Sequence, residues 1–211
     1  MTDITEFVSK LSLETDSDVI YEQYKDESQL PQITSLIAKD LSEPYNIYTY
    51  RYFLHCWPEL SWLALDSKTR EIVGVVINKI EDYHQAAKPK SENLEENQQN
   101  EDATKSKIGD IVNTVQAEMM PQFEKIKRGY IAMLAIHSDY RRKGMATKLV
   151  SKSIETMQKQ HGAEQVMLET EVTNEKALGL YDRLGFMREE RLYRYYLNGV
   201  DAYRLTLYLK S

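Results

Sequence analysis

The segment that most narrows the possible folds is LAIHSDYRRKGMATKLVSKSIETMQKQHG, residues 134–162. A buried-looking strand, GYIAMLAIH, ends in a short polar loop, and Gly144 opens a helix. Leu149, Val150, Ile154 and Met157 share one face of that helix, and Gly162 is its stop signal. Backbone amides at such a helix start have no intrahelical partner and face the positive end of the helix dipole. Phosphate suits that arrangement. Gly144 lets a ligand approach the backbone, Ala146 keeps the first turn small, and Arg141 and Arg142 add positive charge. Taken alone, an arginine followed three residues later by glycine also describes an ordinary capped turn.

The local charge matters because the whole chain is acidic. Its formal net charge is −6 over 211 residues, which argues against general electrostatic clamping of nucleic acid. Any anionic ligand must therefore be held by a local feature. With 42% hydrophobic and 28% charged residues the composition is that of a globular protein. No apolar run approaches the roughly 20 residues that cross a bilayer, so no membrane association is expected. The opening MTDITEFVSK has no basic start, apolar segment or cleavage site, so a cytoplasmic location is expected. The single cysteine, Cys56, has no partner for a disulfide or a zinc site, and no metal is expected. It lies in the apolar helical pattern RYFLHCW and reads as a buried structural thiol rather than a nucleophile.

Residues 1–18 read as a tail or weakly docked helix, and VIYEQYKD follows as a first strand. LPQITSLIAKDLS and IYTYRYFLHCW carry helical spacing on either side of SEPY. LSWLALD and EIVGVVINKIE form a hairpin across the spacer SKTR. From about 83 to 128 the chain loses its core-forming residues, and this stretch reads as a polar, partly disordered insertion. Its later part, IGDIVNTVQAEMMPQFEKI, has apolar spacing compatible with a short helix.

After the strand and helix already described come the strand EQVMLETEV and the helix NEKALGLYDRLG, with Asn174 placed as N-cap. FMREERLYRYYL and DAYRLTLYLK are strands joined at NG, a hairpin signal. The order is a strand, two helices, three strands, a helix, a strand, a helix and two closing strands. That order predicts an α+β fold, with one mixed, largely antiparallel sheet between two helical layers, in a single domain over 19–209. YNIYTYRYF has more tyrosines than one helical face buries, which offers a partner surface. In MLETEV, residues 167–172, alternation sets Glu169 and Glu171 on one face. Either a solvated sheet edge or a strand carrying a catalytic carboxylate would produce that pattern.

Residues 141–146 resemble the R/Q-x-x-G-x-G/A signature of the GNAT acetyltransferase superfamily. TNEKALGLYDRLGF resembles that family's N-x-x-A-x-x-x-Y-x-x-x-G-F segment. DLSEPYNIYTYRYFLHCWPELSWLALD, RGYIAMLAIHSDYRRKGMA, LETEV and RYYLNGVDAYRL are similar to the catalytic subunits of NatC-type N-terminal acetyltransferase complexes, over about residues 19–209. The long polar insert departs from the compact members.

The resemblance implies a GNAT fold and acetyl-CoA as cosubstrate. It assigns cofactor contacts to Leu134, Ala135 and Ile136, to the loop and helix start Arg141, Arg142, Lys143, Gly144, Met145, Ala146 and Thr147, and to Asn174 and Tyr181. It makes Glu169 the base, assisted by Tyr130 at the start of the preceding strand, where a core tyrosine is the alternative. Glu171 is placed further along the cleft rim or against a basic residue. Leu41, Glu43, Pro44 and Tyr45 would line one wall of the peptide site and Tyr195 and Tyr196 the other; strand alternation turns those two tyrosines apart. Glu43 is otherwise a solvated loop carboxylate or helix cap.

The implied substrate is a protein N-terminus beginning with Met and a bulky apolar residue. Lysine or small-amine acetylation, or a CoA-binding module without activity, are the alternatives. Large and small auxiliary subunits, ribosome association through them and no direct nucleic-acid contact complete what the resemblance implies.

Overall fold

The computed structural model describes residues 18–39, 45–86 and 123–209. Seven strands form one sheet: β1 (Val19–Gln23), β2 (Trp62–Asp66), β3 (Ile72–Ala86), β4 (Phe123–Ile136), β5 (Gln165–Glu171), β6 (Met187–Leu192) and β7 (Ala202–Tyr208). The helices are α1 (Leu30–Ala38), α2 (Ile47–Cys56), α3 (Met145–His161) and α4 (Glu175–Arg183). Strand order across the sheet is β1-β2-β3-β4-β5-β7-β6. β5 is thus interior, which removes the solvated-edge reading of MLETEV. The pairs β1–β2, β2–β3, β5–β7 and β6–β7 are antiparallel, and β4–β5 is parallel.

Each face of the sheet carries its own helical layer. Leu30, Ile33, Leu36 and Ile37 of α1 and Tyr50 and Leu54 of α2 pack on Leu63, Val75 and Met133. On the other face Leu149, Val150, Ile154 and Met157 of α3 join Leu178 and Tyr181 of α4. The four α3 side chains are at most 2% exposed, and each such burial contributes roughly 1.5–3 kcal/mol. Close contact between α3 and the sheet requires Gly129, where a Cβ would overlap the Met157 sulfur. Asn78 fastens the same layers, donating through Nδ2 to the Leu60 carbonyl at 2.6 Å and to Ser153 Oγ at 2.9 Å.

Several sequence expectations need revision. β4 begins at Phe123, so residues 123–126 of the expected helix are strand, and residues 87–122 of the insertion lie outside the described residues. β3 likewise runs on to Ala86. Tyr130 sits within β4 rather than at its start. Cys56 is exposed, because α2 buries Tyr50 and Leu54 and the thiol falls off that stripe. Tyr48 and Tyr52 are 73% and 54% exposed, in keeping with the excess of tyrosines on that helix. The closing strand β6 stops at Leu192. A turn with Arg194 at φ 51° follows, because Asp201 captures this segment: its Oδ1 accepts from the Arg194 amide at 2.8 Å and its Oδ2 from Arg191 Nε at 2.9 Å.

Candidate active site

The parallel pairing of β4 with β5 covers Arg128–Tyr130 against Gln165–Met167. Beyond those pairs Ile131–Leu134 and Leu168–Glu171 line opposite sides of a cleft of about 290 Å³. A parallel pair that separates exposes backbone groups and inward side chains to a ligand rather than to each other. Nine residues singled out from the sequence line this one cleft: Tyr130, Leu134, Glu169, Glu171, Asn174, Tyr181, Tyr45, Tyr195 and Tyr196.

Tyr130 and Glu169 meet directly, the phenol donating to Glu169 Oε2 at 2.8 Å. Burial, then the charge of Glu169 and this hydrogen bond, push the Tyr130 phenol well above its usual value, so it stays protonated. The Glu169 side chain is only 5% exposed. Its other oxygen accepts from Arg204 Nε at 3.1 Å, a partner that no motif indicated. Arg204 stands opposite Glu169 in the β5–β7 register, a pairing legible only once the order of the last strands is known. Glu171, two residues further along β5, lines the cleft as well and accepts from Asn198 Nδ2 and Thr173 Oγ1, both at 3.3 Å.

Tyr195 and Tyr196 both face the cleft, with ring centroids 5.2 Å apart at 87°. Strand alternation would have turned them apart. They sit in the turn after β6, where the positive φ of Arg194 breaks the alternation. Burial and the neighbouring Tyr195, Tyr45, Glu171 and Glu169 raise the Tyr196 phenol, and burial raises Tyr181. Asn174 has two tasks: it lines the cleft and caps α4, accepting from the Ala177 amide at 3.1 Å.

The phosphate loop lies apart from these lining residues, at the end of β4. Ala135 and Ile136 are buried in the sheet, and Arg141 Nε donates to the Ile136 carbonyl at 3.0 Å, closing the loop on the strand end. Gly144 is the N-cap of α3 at φ 77°, without a side-chain cap, and space around its Cα is open. Arg142 also has positive φ, at 63°. The first α3 amides, at Met145, Ala146 and Thr147, are thus left without an intrahelical or side-chain acceptor from this cap. Met145 turns its side chain into the core at 1% exposure, leaving only its backbone for the loop. Lys143 Nζ lies over the Tyr140 ring at 5.2 Å. Leu41, Glu43 and Pro44 lie outside the described residues. Among the described residues there is no group of His, Cys, Asp or Glu able to hold a metal ion.

The Acetyltransferase (GNAT) family model matches residues 30–186. N-alpha-acetyltransferase 30 of Schizosaccharomyces pombe is 44% identical over 179 residues, which are 85% of this chain and 91% of that protein. The human N-alpha-acetyltransferase 30 is 43% identical over 92% of this chain, but the chain spans only 42% of that relative's length. A crystal structure of the NatC complex bound to Gag peptide and CoA contains a chain that superposes with a TM-score of 0.68 at 36% identity, covering 92% of this chain and 99% of that one. With a family model spanning most of the described sheet and helices, this chain belongs to the GNAT acetyltransferase family.

Proposed function

We propose that the protein is an N-terminal α-amino acetyltransferase of the NatC type, using acetyl-CoA. One observation carries the reading: β4 and β5 part to form a cleft with the Tyr130–Glu169 pair inside it. The relatives named N-alpha-acetyltransferase 30 support the choice of substrate amine.

The loop fits coenzyme A by its own chemistry. Its uncapped amides, the open space at Gly144 and the cations Arg141–Lys143 suit a pyrophosphate. Leu134, Asn174 and Tyr181 line the cleft where the pantetheine arm would run. When bound, acetyl-CoA supplies a thioester carbonyl open to attack by an amine.

Glu169 receives the proton of the substrate amine, directly or through one water. That task is modest, since an α-amine has a pKa of roughly 7.7–8.0 and a useful fraction is neutral at cellular pH. Tyr130, held as a phenol, fixes one Glu169 oxygen. Tyr181, also kept protonated by burial, holds a proton at Oη for the leaving thiolate. Tyr45, Tyr195 and Tyr196 give the cleft mouth aromatic walls with polar tips, suited to an apolar N-terminus and its backbone. The preferred peptide starts with Met followed by a bulky apolar residue. In this reading the protein works with large and small auxiliary subunits, which the solved NatC complex supports, and these bring it to the ribosome, where it acts on nascent chains in the cytoplasm.

Mass spectrometry after incubation with acetyl-CoA and two peptides tests this. One peptide begins Met-Leu with a free amine, and the other is blocked and offers only lysines. The first is expected to gain an acetyl group. Product from the second alone replaces the substrate reading, and CoA binding without product from either makes the protein a binding module.

A further inference from the structure

We propose that Arg204 is the positioning residue of the cleft carboxylate: it holds Glu169 in the orientation in which that side chain meets Tyr130 and the substrate amine. β7 lies between β5 and β6, and Arg204 stands directly opposite Glu169 on one side and Glu190 on the other. Its Nε donates to Glu169 Oε1 at 3.1 Å and its Nη1 to Glu190 Oε2 at 2.8 Å. One planar guanidinium therefore serves two carboxylates at once, which an ammonium on a flexible stem does less well.

The two carboxylates differ in setting. The Glu190 side chain is 56% exposed, whereas that of Glu169 is 5% exposed, with that of Arg204 between them at 33%. Glu190 fixes the guanidinium from the solvent side, and the guanidinium fixes Glu169 from inside. Glu169 is then clamped at both oxygens, Oε1 by Arg204 on β7 and Oε2 by Tyr130 on β4. Each oxygen keeps a lone pair for a water or an amine. By contrast the Arg188–Asp182 pair joins side chains 44% and 45% exposed, where an ion pair contributes little. Arg204 acts through Glu169: it is bonded to two carboxylates and is not itself among the residues that line the cleft.

Because this role presupposes the acetyltransferase reading, the test includes an arm that uses no activity. Arg204→Met is expected to lower kcat roughly 10²-fold, the scale of a misplaced reacting group, with KM for acetyl-CoA nearly unchanged. Arg204→Lys, which restores one charged donor, should recover most of the rate. In a Glu169→Gln background Arg204→Met should cost nothing further, since the two act as one unit. A crystal structure of Arg204→Met should show Glu169 turned away from Tyr130.

Unchanged kcat, an equal fold-loss in both backgrounds, or an intact Tyr130–Glu169 bond in that structure each overturns the role. If Arg204→Met does not fold, the Glu169→Gln pair decides, because it buries no lone carboxylate. Equal rates with and without Arg204 then support the role, and a further loss of about tenfold overturns it. Should the wild-type protein acetylate no peptide, the functional reading falls, while the crystal structure still decides the orientation of Glu169.

Discussion

Asn78 on β3 and Glu169 on β5 are both polar side chains set deep in the same sheet, and the fold treats them in opposite ways. Asn78 is 0% exposed and its partners are neutral, the Leu60 carbonyl and the Ser153 hydroxyl. Its Oδ1 has no hydrogen-bond partner among the described residues. The Glu169 side chain is also largely covered, at 5% exposure, but it is a carboxylate, clamped on both oxygens and open to a cleft. The closed cluster joins α3 to the sheet through fixed donors and acceptors. The open one holds a group that can exchange a proton with something that enters. Depth of burial therefore does not separate structure from chemistry in this sheet; access does, and the parting of β4 and β5 supplies it.

The sharpest test of that contrast is Glu169→Gln, which preserves shape and removes the proton acceptor. Turnover should fall about 10³-fold, within the range of a lost general base, while calorimetry finds CoA affinity nearly unchanged. An unaffected rate at neutral pH would make Glu169 another Asn78, a structural group that happens to face a cleft. Next in size is Gly144→Glu. The backbone there has φ 77° and the surroundings are open, so the cost comes from conformation and charge rather than from a clash. Coenzyme A affinity is expected to weaken about 10²-fold, combining a left-handed backbone penalty with a negative charge at a helix start. Normal affinity would move the pyrophosphate elsewhere.

Asn78→Ala should do the reverse of Glu169→Gln. It strips partners from Leu60 and Ser153 and should cost about 2 kcal/mol in urea unfolding, with kcat of the folded enzyme unchanged. A drop in kcat without loss of stability would break the division between the two clusters.

How much of this was legible beforehand follows the same division between local and long-range causes. α3 was readable because its signals are local: Gly144 and Gly162 cap it, and its apolar stripe repeats at helical spacing. The strand and helix order was readable for the same reason, whereas the pairing of Glu169 with Tyr130 rested on the family resemblance. The ion pair to Arg204 was not readable, since it depends on the register between β5 and β7, residues 35 apart in the chain. Tyr195 and Tyr196 were misjudged because a side chain of Asp201 ends β6 early, and tertiary capture of a backbone amide overrides strand alternation. Cys56 was misplaced by reading an apolar run as an apolar face.

A third polar cluster sits on the surface and should give the smallest effect. Asp66, at the end of β2, accepts from Tyr140 Oη at 2.6 Å through Oδ2 and from the Lys68 and Thr69 amides at 2.9 and 2.8 Å through Oδ1. The Tyr140 bond first, then the two amides, lower its pKa from 3.8 to about 2. Since the folded value lies below the unfolded one, the resulting stabilisation is complete above the unfolded value and is lost as pH falls through the folded one. Asp66→Asn should therefore have a lower Tm than wild type at pH 6, and the two melting curves should converge between pH 4 and about pH 2. Tyr140 ends the turn that leads into Arg141, so the same variant should loosen the coenzyme A loop slightly and leave kcat at saturating cofactor intact. An offset in Tm that persists unchanged down to pH 2 would assign the effect to the turn's backbone geometry, and the carboxylate's charge would have no part in it.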